Sequence, residues 1–273
     1  TLGAFAKSEE PEDWRRLMSL FLVRRTRKFI RDNYAEFDDE GRAFLRFADG
    51  MTFYFPERIA KTLPHTIADS DPAALMTDQT TFDALDNLQL PRYSVIRYLD
   101  DSVEPTRQES EILEDLGRGS GNLIGFTRTM FYKRLSSCPA AFILSLQRHL
   151  VRNRIFLDAL VEGTELPIGR FEDSNLEDED PDSGLPDDGY PSGGDPEQWA
   201  AIAKEAHAAL KIHAPKKTRW LRPVLLNTDF ETHLRNDIAT IESLLARYGP
   251  WDQANDSKLD ALQELLETQF PDD

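Results

Sequence analysis

The sequence has 273 residues, with 32 lysines and arginines against 49 aspartates and glutamates, for a formal net charge of −17. That length allows one large or two modest domains with a real core. No apolar run approaches the roughly 18 to 20 residues that span a bilayer, and no signal-peptide core is visible, so we expect a cytoplasmic chain without membrane partners. Because Cys138 is the only cysteine, an internal disulfide and a cysteine-based zinc cluster are both excluded. A first residue other than Met indicates a processed chain or a piece of a longer one.

The first predicted helix begins near Ser8, because Pro11, Glu12 and Asp13 place a proline and two acids in a first helical turn. Its apolar stripe follows at helical spacing, and its other face is basic, without an acid between Arg15 and Arg31. The stripe is formed by Trp14, Leu17, Met18, Phe21 and Leu22, and the basic residues are Arg15, Arg16, Arg24, Arg25, Arg27, Lys28 and Arg31.

A β-hairpin is predicted over about residues 43–56. Leu45 and Phe47 alternate with polar residues before Asp49-Gly50, and Met51 opens a second alternating run after it. Asp-Gly is a favoured pair for a type I′ turn between two strands. Two strands alone are marginally stable, so we expect the hairpin to pack on helices or to extend a sheet.

The rest of the pattern is helical. Pro139 begins one long helix, Asp229 is expected to cap another that ends at Gly249, and Gly117 is expected to end a short one. The predicted helices after the hairpin are 72–76, 80–88, 109–116, 123–135, 139–161, 199–210, 229–248 and one from Ser257. The fold class predicted from this pattern is mainly α, with one small hairpin.

The negative charge is concentrated in one segment. Between Glu172 and Glu197 the sequence has 11 acidic residues, no lysine or arginine, and many prolines and glycines, which leaves −6 on the remainder. We expect such a composition to form a disordered linker, because it cannot bury enough apolar surface to fold. The predicted organisation is a helical body with the hairpin at 1–171, an acidic linker at 172–198, and a helical segment at 199–273 that packs back on the body.

Motifs for catalysis are missing from the sequence. No Gly-Lys pair exists to form a phosphate-binding P-loop, and Asn122 replaces the third glycine of a dinucleotide fingerprint. The five histidines do not have metal-ligand spacing, and Ser120 lacks the glycines of a nucleophile elbow. We therefore predict no catalytic residue, metal or cofactor within this chain.

Three basic clusters stand out against the acidic background, and each suits a nucleic-acid phosphate backbone. The alternative for each is that its arginines pair with carboxylates elsewhere in the fold. The first cluster is the basic face of the first helix; the second is Arg128, Lys133, Arg134, Arg148, Arg152 and Arg154; the third is Lys211, Lys216, Lys217, Arg219 and Arg222.

Three elements, in order along the chain, resemble bacterial Swi/Snf-like ATP-dependent helicases of superfamily two. The first is Phe21-Leu22-Val23-Arg24-Arg25-Thr26-Arg27, which resembles the signature that follows the first RecA-like lobe. The second is Phe131-Tyr132-Lys133-Arg134-Leu135-Ser136-Ser137, in which Ser136 replaces the usual acid. The third is Ser257-Lys258-Leu259 with Leu262, Leu265 and Leu266, which is similar to the helix that leads into the second lobe.

The resemblance implies that the chain is the region between two motor lobes, and that the parent protein hydrolyses ATP with Mg²⁺ and moves on double-stranded DNA. The flanking RecA-like lobes are then its partners. The residues that the resemblance and the basic clusters offer for DNA backbone contact are Arg24, Arg25, Arg27, Lys28, Arg128, Lys133 and Arg134.

Two alternatives stay open at this stage. One is a stand-alone helical adaptor whose acidic linker and basic faces bind protein partners. The other is a self-contained DNA-binding protein, which would bind duplex DNA with a steep salt dependence.

Overall fold

A computed structural model of the chain describes residues 26–56, 60, 62–119, 123–168, 195–213 and 219–269. These residues are mainly helical with a small antiparallel sheet, which confirms the predicted fold class. The chain divides into two compact units, one ending at Thr62 and the other beginning at Leu63. The helix predicted near Ser8 and most of the acidic segment lie outside the described residues.

The first unit contains one short helix and a three-stranded antiparallel sheet whose strands lie side by side in chain order. Thr26 has an extended backbone and caps the helix, because its hydroxyl accepts a hydrogen bond from the Phe29 amide at 3.1 Å. The predicted helix therefore does not run unbroken through Thr26. The elements are α1 (Arg27–Tyr34), β1 (Glu36–Phe37), β2 (Ala43–Arg46) and β3 (Thr52–Tyr54).

The predicted hairpin is confirmed, but the predicted type I′ turn is wrong. Phe47 pairs with Met51 through a 2.8 Å backbone hydrogen bond, and the Gly50 amide donates to the Phe47 carbonyl at 3.0 Å. Gly50 has φ 85°, whereas Leu90 is the only non-glycine residue in the described ranges with a positive φ. A type I′ turn needs a positive φ at Asp49 as well, so the loop is a three-residue turn closed by a left-handed glycine.

The second unit is helical, and most of its helices match the predicted ones. Its elements are α2 (Pro72–Met76), α3 (Gln79–Asn87), α4 (Arg107–Gly119), α5 (Leu123–Ser137), α6 (Pro139–Glu162), β4 (Leu166–Ile168), α7 (Pro196–His213), β5 (Arg219–Leu221), α8 (Thr228–Tyr248) and α9 (Ser257–Gln269). Short 3-10 helices lie at Pro91–Tyr93, Val95–Tyr98, Pro223–Leu225 and Gln253–Asn255. None of the helices in the described ranges combines the length and the apolarity needed to cross a membrane.

Helix α6 is the centre of the second unit, and α5, α7 and α8 pack around it. It is buried on most of its circumference, as expected for a helix surrounded by others. Trp199 from α7 and Phe230 from α8 are fully buried in the same core. The helices that follow the acidic segment therefore pack on helices that precede it.

Strands β4 and β5 form a second antiparallel pair that the sequence pattern does not predict. Leu166 pairs with Leu221 and Ile168 with Arg219, although the partners lie more than 50 residues apart. Leu166 and Leu221 are fully buried, so the pair closes one side of the core. Three-residue strands show too little alternation to be recognised locally.

Several helix ends differ from the predicted ones. Asn227, rather than Asp229, caps α8, because its side chain accepts from the amides of Asp229 and Phe230. Helix α4 starts at Arg107 and continues through Gly117. Helix α7 starts at Pro196, inside the predicted linker, where the Asp195 carboxylate accepts from the Glu197 amide at 3.0 Å.

Candidate functional site

The residues predicted to contact DNA are only partly brought together. Arg24 and Arg25 lie outside the described residues. Arg27 and Lys28 are exposed in the first turn of α1 and form no ion pair with any described residue. Their neighbour Arg31 contacts Asp32 at 3.3 Å, an exposed pair of small energetic weight.

Arg128, Lys133 and Arg134 all lie on α5 but point in different directions. At 100° per residue, Lys133 is about 140° around the helix from Arg128, so the two do not share a face. The Arg128 guanidinium is half-buried and donates through Nη2 to the Leu88 carbonyl at 2.7 Å. Lys133 is exposed and Arg134 half-buried, and neither has an ion pair within the described part of the chain.

Other members of the second and third basic clusters are joined to distant carboxylates. Arg154 pairs with Glu242 across α6 and α8, and both side chains are largely buried. Arg219 contacts Asp115 at 2.6 Å. These cations hold the fold together, so they are not free for phosphate in this structure. Lys216, Lys217 and the side chain of Lys211 lie outside the described part.

Arg222 from the third cluster has the most elaborate of these contacts. Its Nε and Nη2 donate to the two carboxylate oxygens of Glu109 at 2.7 and 2.8 Å. Glu109 also accepts from the Thr106 amide at 2.7 Å, while the Thr106 hydroxyl accepts from the Glu109 amide, which completes a capping box on α4. The guanidinium hydrogen bonds lower the pKa of Glu109 to about 2.

Two elements of the helicase resemblance meet where α5 ends and α9 begins. The Lys258 ammonium donates to the Ser136 carbonyl at 3.0 Å and also to the Ser137 carbonyl. These carbonyls belong to the last turn of α5 and have no helical partner of their own, so a cation is favoured there. Positions about 120 residues apart in the chain thus form one junction.

Buried carboxylates fix the start of α9 at this junction. Asp71, which is buried, accepts from the Ser257 amide at 2.8 Å, and the Ser257 hydroxyl accepts from the Ala68 amide. Asp256 accepts from the Leu259 amide at 2.9 Å and from the Trp251 indole at 3.1 Å. The first turn of α9 is therefore held from several directions.

A buried polar cluster lies between α6, α8 and the 88–93 segment. Asp237 accepts from the amides of Gln89 and Leu90 at 2.8 and 2.7 Å, and Leu90 has a left-handed backbone with φ 52°. Arg92 donates to Asn153 at 2.7 Å and contacts His149 at 3.1 Å.

Burial raises the pKa of Asp237, opposed by its two backbone hydrogen bonds. The cluster shapes the backbone of the 88–93 segment, where the residue pattern shows no clear periodicity. No group of three or more metal-ligating side chains occurs within the described ranges.

Comparison with known proteins leaves the site to be interpreted from its own residues. No protein-family model, curated protein or solved structure matches the chain. The α5–α9 junction and the exposed cations are therefore the features that indicate a function.

Proposed function

We propose that this chain is the helical segment between the two RecA-like lobes of an ATP-dependent DNA translocase, where it braces the lobes. The observation that carries the proposal is the contact of Lys258 with Ser136 and Ser137. It joins two of the three elements that resemble bacterial Swi/Snf-like helicases. The helix expected to lead into the second lobe is thereby tied to the body of the segment.

The contacts of α9 fit a bracing role. Its first turn is fixed through Ser257 and Lys258, whereas Leu262 and Leu266, one turn apart, are exposed further along the helix. An apolar pair on a helix face favours burial against a neighbouring surface. In the proposed parent that surface is the second lobe.

Contact with DNA is the second part of the proposal, and it concerns the backbone only. Arg27, Lys28 and Lys133 are exposed cations without a carboxylate partner in the described part of the chain, and Arg24, Arg25 and Arg134 complete the set. Such contacts give sequence-independent, salt-sensitive affinity. Arg128 is the weakest member, because it already binds the Leu88 carbonyl.

The chemistry of the parent would lie outside this chain. ATP and Mg²⁺ would be held by the flanking lobes, and the segment would transmit force between them. The isolated chain should therefore show no ordinary ATP turnover.

A helical adaptor is the second candidate function. The observation that favours it is the pairing of Arg154, Arg219 and Arg222 with acids, which removes three of the cations predicted to attract nucleic acid. An adaptor would bind proteins and show no affinity for duplex DNA.

Duplex binding by the chain separates the two candidates. Anisotropy of a labelled duplex would be measured over a salt series for the wild type, for Lys133→Gln with Arg134→Gln, and for Arg107→Gln with Arg235→Gln. Both double variants remove two cations, but Arg107 and Arg235 already pair with Glu111 and Glu231.

We expect the first variant to weaken binding and to flatten the salt slope by about 0.9 for each lost phosphate contact. Equal effects of the two variants, or no binding at low salt, would remove DNA contact from the proposal. The bracing role is tested separately by the coding sequence on either side: a P-loop and an acidic box upstream support it, and their absence contradicts it. ATP hydrolysis by the isolated chain would contradict it as well.

A further inference from the structure

The three-stranded sheet of the first unit has one entirely apolar face. Leu45 pairs with Phe53, and facing partners in a sheet point to the same side. Ala43 pairs with Phe37 on one side, and on the other its carbonyl accepts from the Phe55 amide at 2.9 Å. The side chains on this side, which we call the apolar face, are Phe37, Ala43, Leu45, Phe47, Met51, Phe53 and Phe55.

The opposite face of the same sheet is already covered. Phe44 points to that side and is only 6% exposed, and its ring centroid lies 5.4 Å from that of Tyr54. Helix α1 contacts β2, the strand that contains Phe44. Thr52 and Phe53 are neighbours in β3 that point to opposite sides of the sheet, so they provide matched positions for a test.

The apolar face is open to solvent. Phe37 and Met51 are each 65% exposed, and Phe47 and Phe53 are each 49% exposed. Side chains of this size bury about 150–250 Å² when they are covered, so the open area is on the order of 400 Å². An apolar patch of this size with a polar border commonly marks a surface that binds another molecule.

Acidic loops border the apolar face at the two ends of β2. The loop before β2 contains three consecutive acids, 38–40, and the loop after it contains Asp49. Arg42 pairs with two of the three acids, at 2.9 and 3.3 Å, but Asp39 and Asp49 form no ion pair within the described ranges. Residues 35–56 have five acids, two arginines and no lysine, so the sheet has a net charge of −3. A complementary ligand has an apolar middle and positive ends.

Charge and area decide which class of partner fits this face. Nucleic-acid phosphates are repelled by the carboxylates at both ends. Two copies of the face would bring like charges together, and they would bury about 800 Å² in total, whereas a stable interface buries roughly 1,200–2,000 Å². The observations therefore favour a different polypeptide with positive charge.

An α-helix has the dimensions of the apolar face. Three strands about 4.8 Å apart support a helix about 10 Å in diameter. Residues 43–47 span about 14 Å along the middle strand, which corresponds to about nine residues of helix. Cations in the next turn at each end of such a helix lie near the loops that contain Asp39 and Asp49.

We propose that the apolar face binds an amphipathic helix of another polypeptide, with an apolar stripe about three turns long and lysine or arginine at both ends. In this arrangement the stripe covers Leu45, Phe47 and Phe53, and the cations at the two ends pair with Asp39 and Asp49. The apolar contacts provide the affinity, and the charged ends fix the position of the helix along β2. The docking does not depend on the motor-protein proposal.

Selection from a phage-displayed library of amphipathic helices tests the docking on the full chain. The library fixes leucine at i, i+3, i+4 and i+7 and randomises the first and last turns. Clones selected on the wild type are tested again on Phe53→Asp and, as the matched control, on Thr52→Asp. We expect clones with lysine or arginine at both ends, whose affinity falls at least about tenfold on Phe53→Asp and less than about twofold on Thr52→Asp. Absence of such clones, or enrichment of acidic or neutral ends, overturns the proposal.

Removal of single carboxylates provides a second measurement that leaves the apolar side chains unchanged. Anisotropy of a selected peptide is followed on Asp39→Asn, on Asp49→Asn and on Glu36→Gln, the control on the opposite face. Binding should weaken about threefold for each of the first two variants and stay unchanged for the control, because only the first two remove charge at the ends of the helix. Equal effects of the three variants overturn the proposal. A concentration-dependent dimer in sedimentation equilibrium that disappears in Phe53→Asp assigns the face to a second copy and overturns it too.

Discussion

Replacing Glu109 with glutamine should destabilise the second unit in a pH-dependent way. The Glu109 side chain is 6% exposed, closes the capping box of α4, and binds the Arg222 guanidinium through both oxygens. Glutamine keeps the shape but loses the charge and one acceptor. The substitution therefore tests whether Arg222 is a structural cation rather than one available to phosphate.

The magnitude follows from the pKa of Glu109, which falls from its ordinary value of 4.5 to about 2 in the fold. At about 1.4 kcal/mol for each tenfold change, this corresponds to about 3 kcal/mol of stabilisation of the ionised form. Arg222 is 41% exposed, so solvent screening reduces the expected effect to about 2 kcal/mol.

Urea unfolding of the wild type and Glu109→Gln, followed by circular dichroism from pH 7 to pH 3, measures the effect. A carboxyl whose pKa is lowered by folding stabilises the fold above its unfolded pKa, and this stabilisation disappears as the pH falls toward the folded pKa. The difference between the two proteins should therefore be full above about pH 5 and should shrink between pH 4.5 and pH 2.

Glu111→Gln is the matched control, because Glu111 lies on the same helix and pairs with Arg107, which is 93% exposed. Loss of this exposed ion pair should lower the free energy of unfolding by less than about 0.5 kcal/mol. A Glu109→Gln effect as small as that of Glu111→Gln, or one that does not change with pH, would refute the assignment of Arg222 to this ion pair.

Three further substitutions test separate features by thermal or chemical unfolding and hydrogen exchange. Asn227→Ala should lower the free energy of unfolding by about 1 kcal/mol, because it removes the cap of α8, whereas Asp229→Ala should lower it clearly less. The reverse order of the two effects would identify Asp229 as the cap. Asp237→Asn should lower the free energy of unfolding in urea at pH 7 by about 1–3 kcal/mol, because one of the two backbone amides at Gln89 and Leu90 loses its acceptor; an unchanged midpoint would contradict this. Lys258→Met should raise hydrogen exchange in α9, because it removes the contact with the end of α5. Lys204→Met is the control, since it removes an exposed lysine that pairs with Glu162, and it should leave the exchange of α9 unchanged. Equal exchange in the two variants would count against the junction.

The local architecture was predictable because it depends on neighbouring residues. The apolar stripes of α5, α6 and α8 recur at helical spacing, and Asp49-Gly50 marks the hairpin. The turn type was not predictable in the same way, since it depends on the pairing of Phe47 with Met51, which decides how many residues remain in the loop. The cap of α8 illustrates the same limit: Asn227 and Asp229 are both good capping residues, and only the backbone distinguishes them.

The functional surface was less predictable because it depends on long-range pairing. The arginines between residues 128 and 154 have no acidic residue among them in the sequence, which predicts that they can bind phosphate. In the fold, however, Arg154 pairs with Glu242, which lies 88 residues away in the chain. Arg222 meets Glu109 across 113 residues. The capping box at Thr106 and Glu109 was a local signal for the start of α4, but nothing in the sequence indicated that its acid would also bind an arginine.

Three of the polar contacts in the second unit share one topological property. Asp78 with Arg247, Leu90 with Asp237, and Ser136 with Lys258 each join a residue before the acidic segment to one after it. We therefore expect the two halves to behave as a complementing pair, in which the covalent link mainly sets their mutual concentration. A break in the backbone between residues 172 and 194 should leave both halves associated and folded, so the protein could be produced as two co-expressed fragments or carry an inserted domain there.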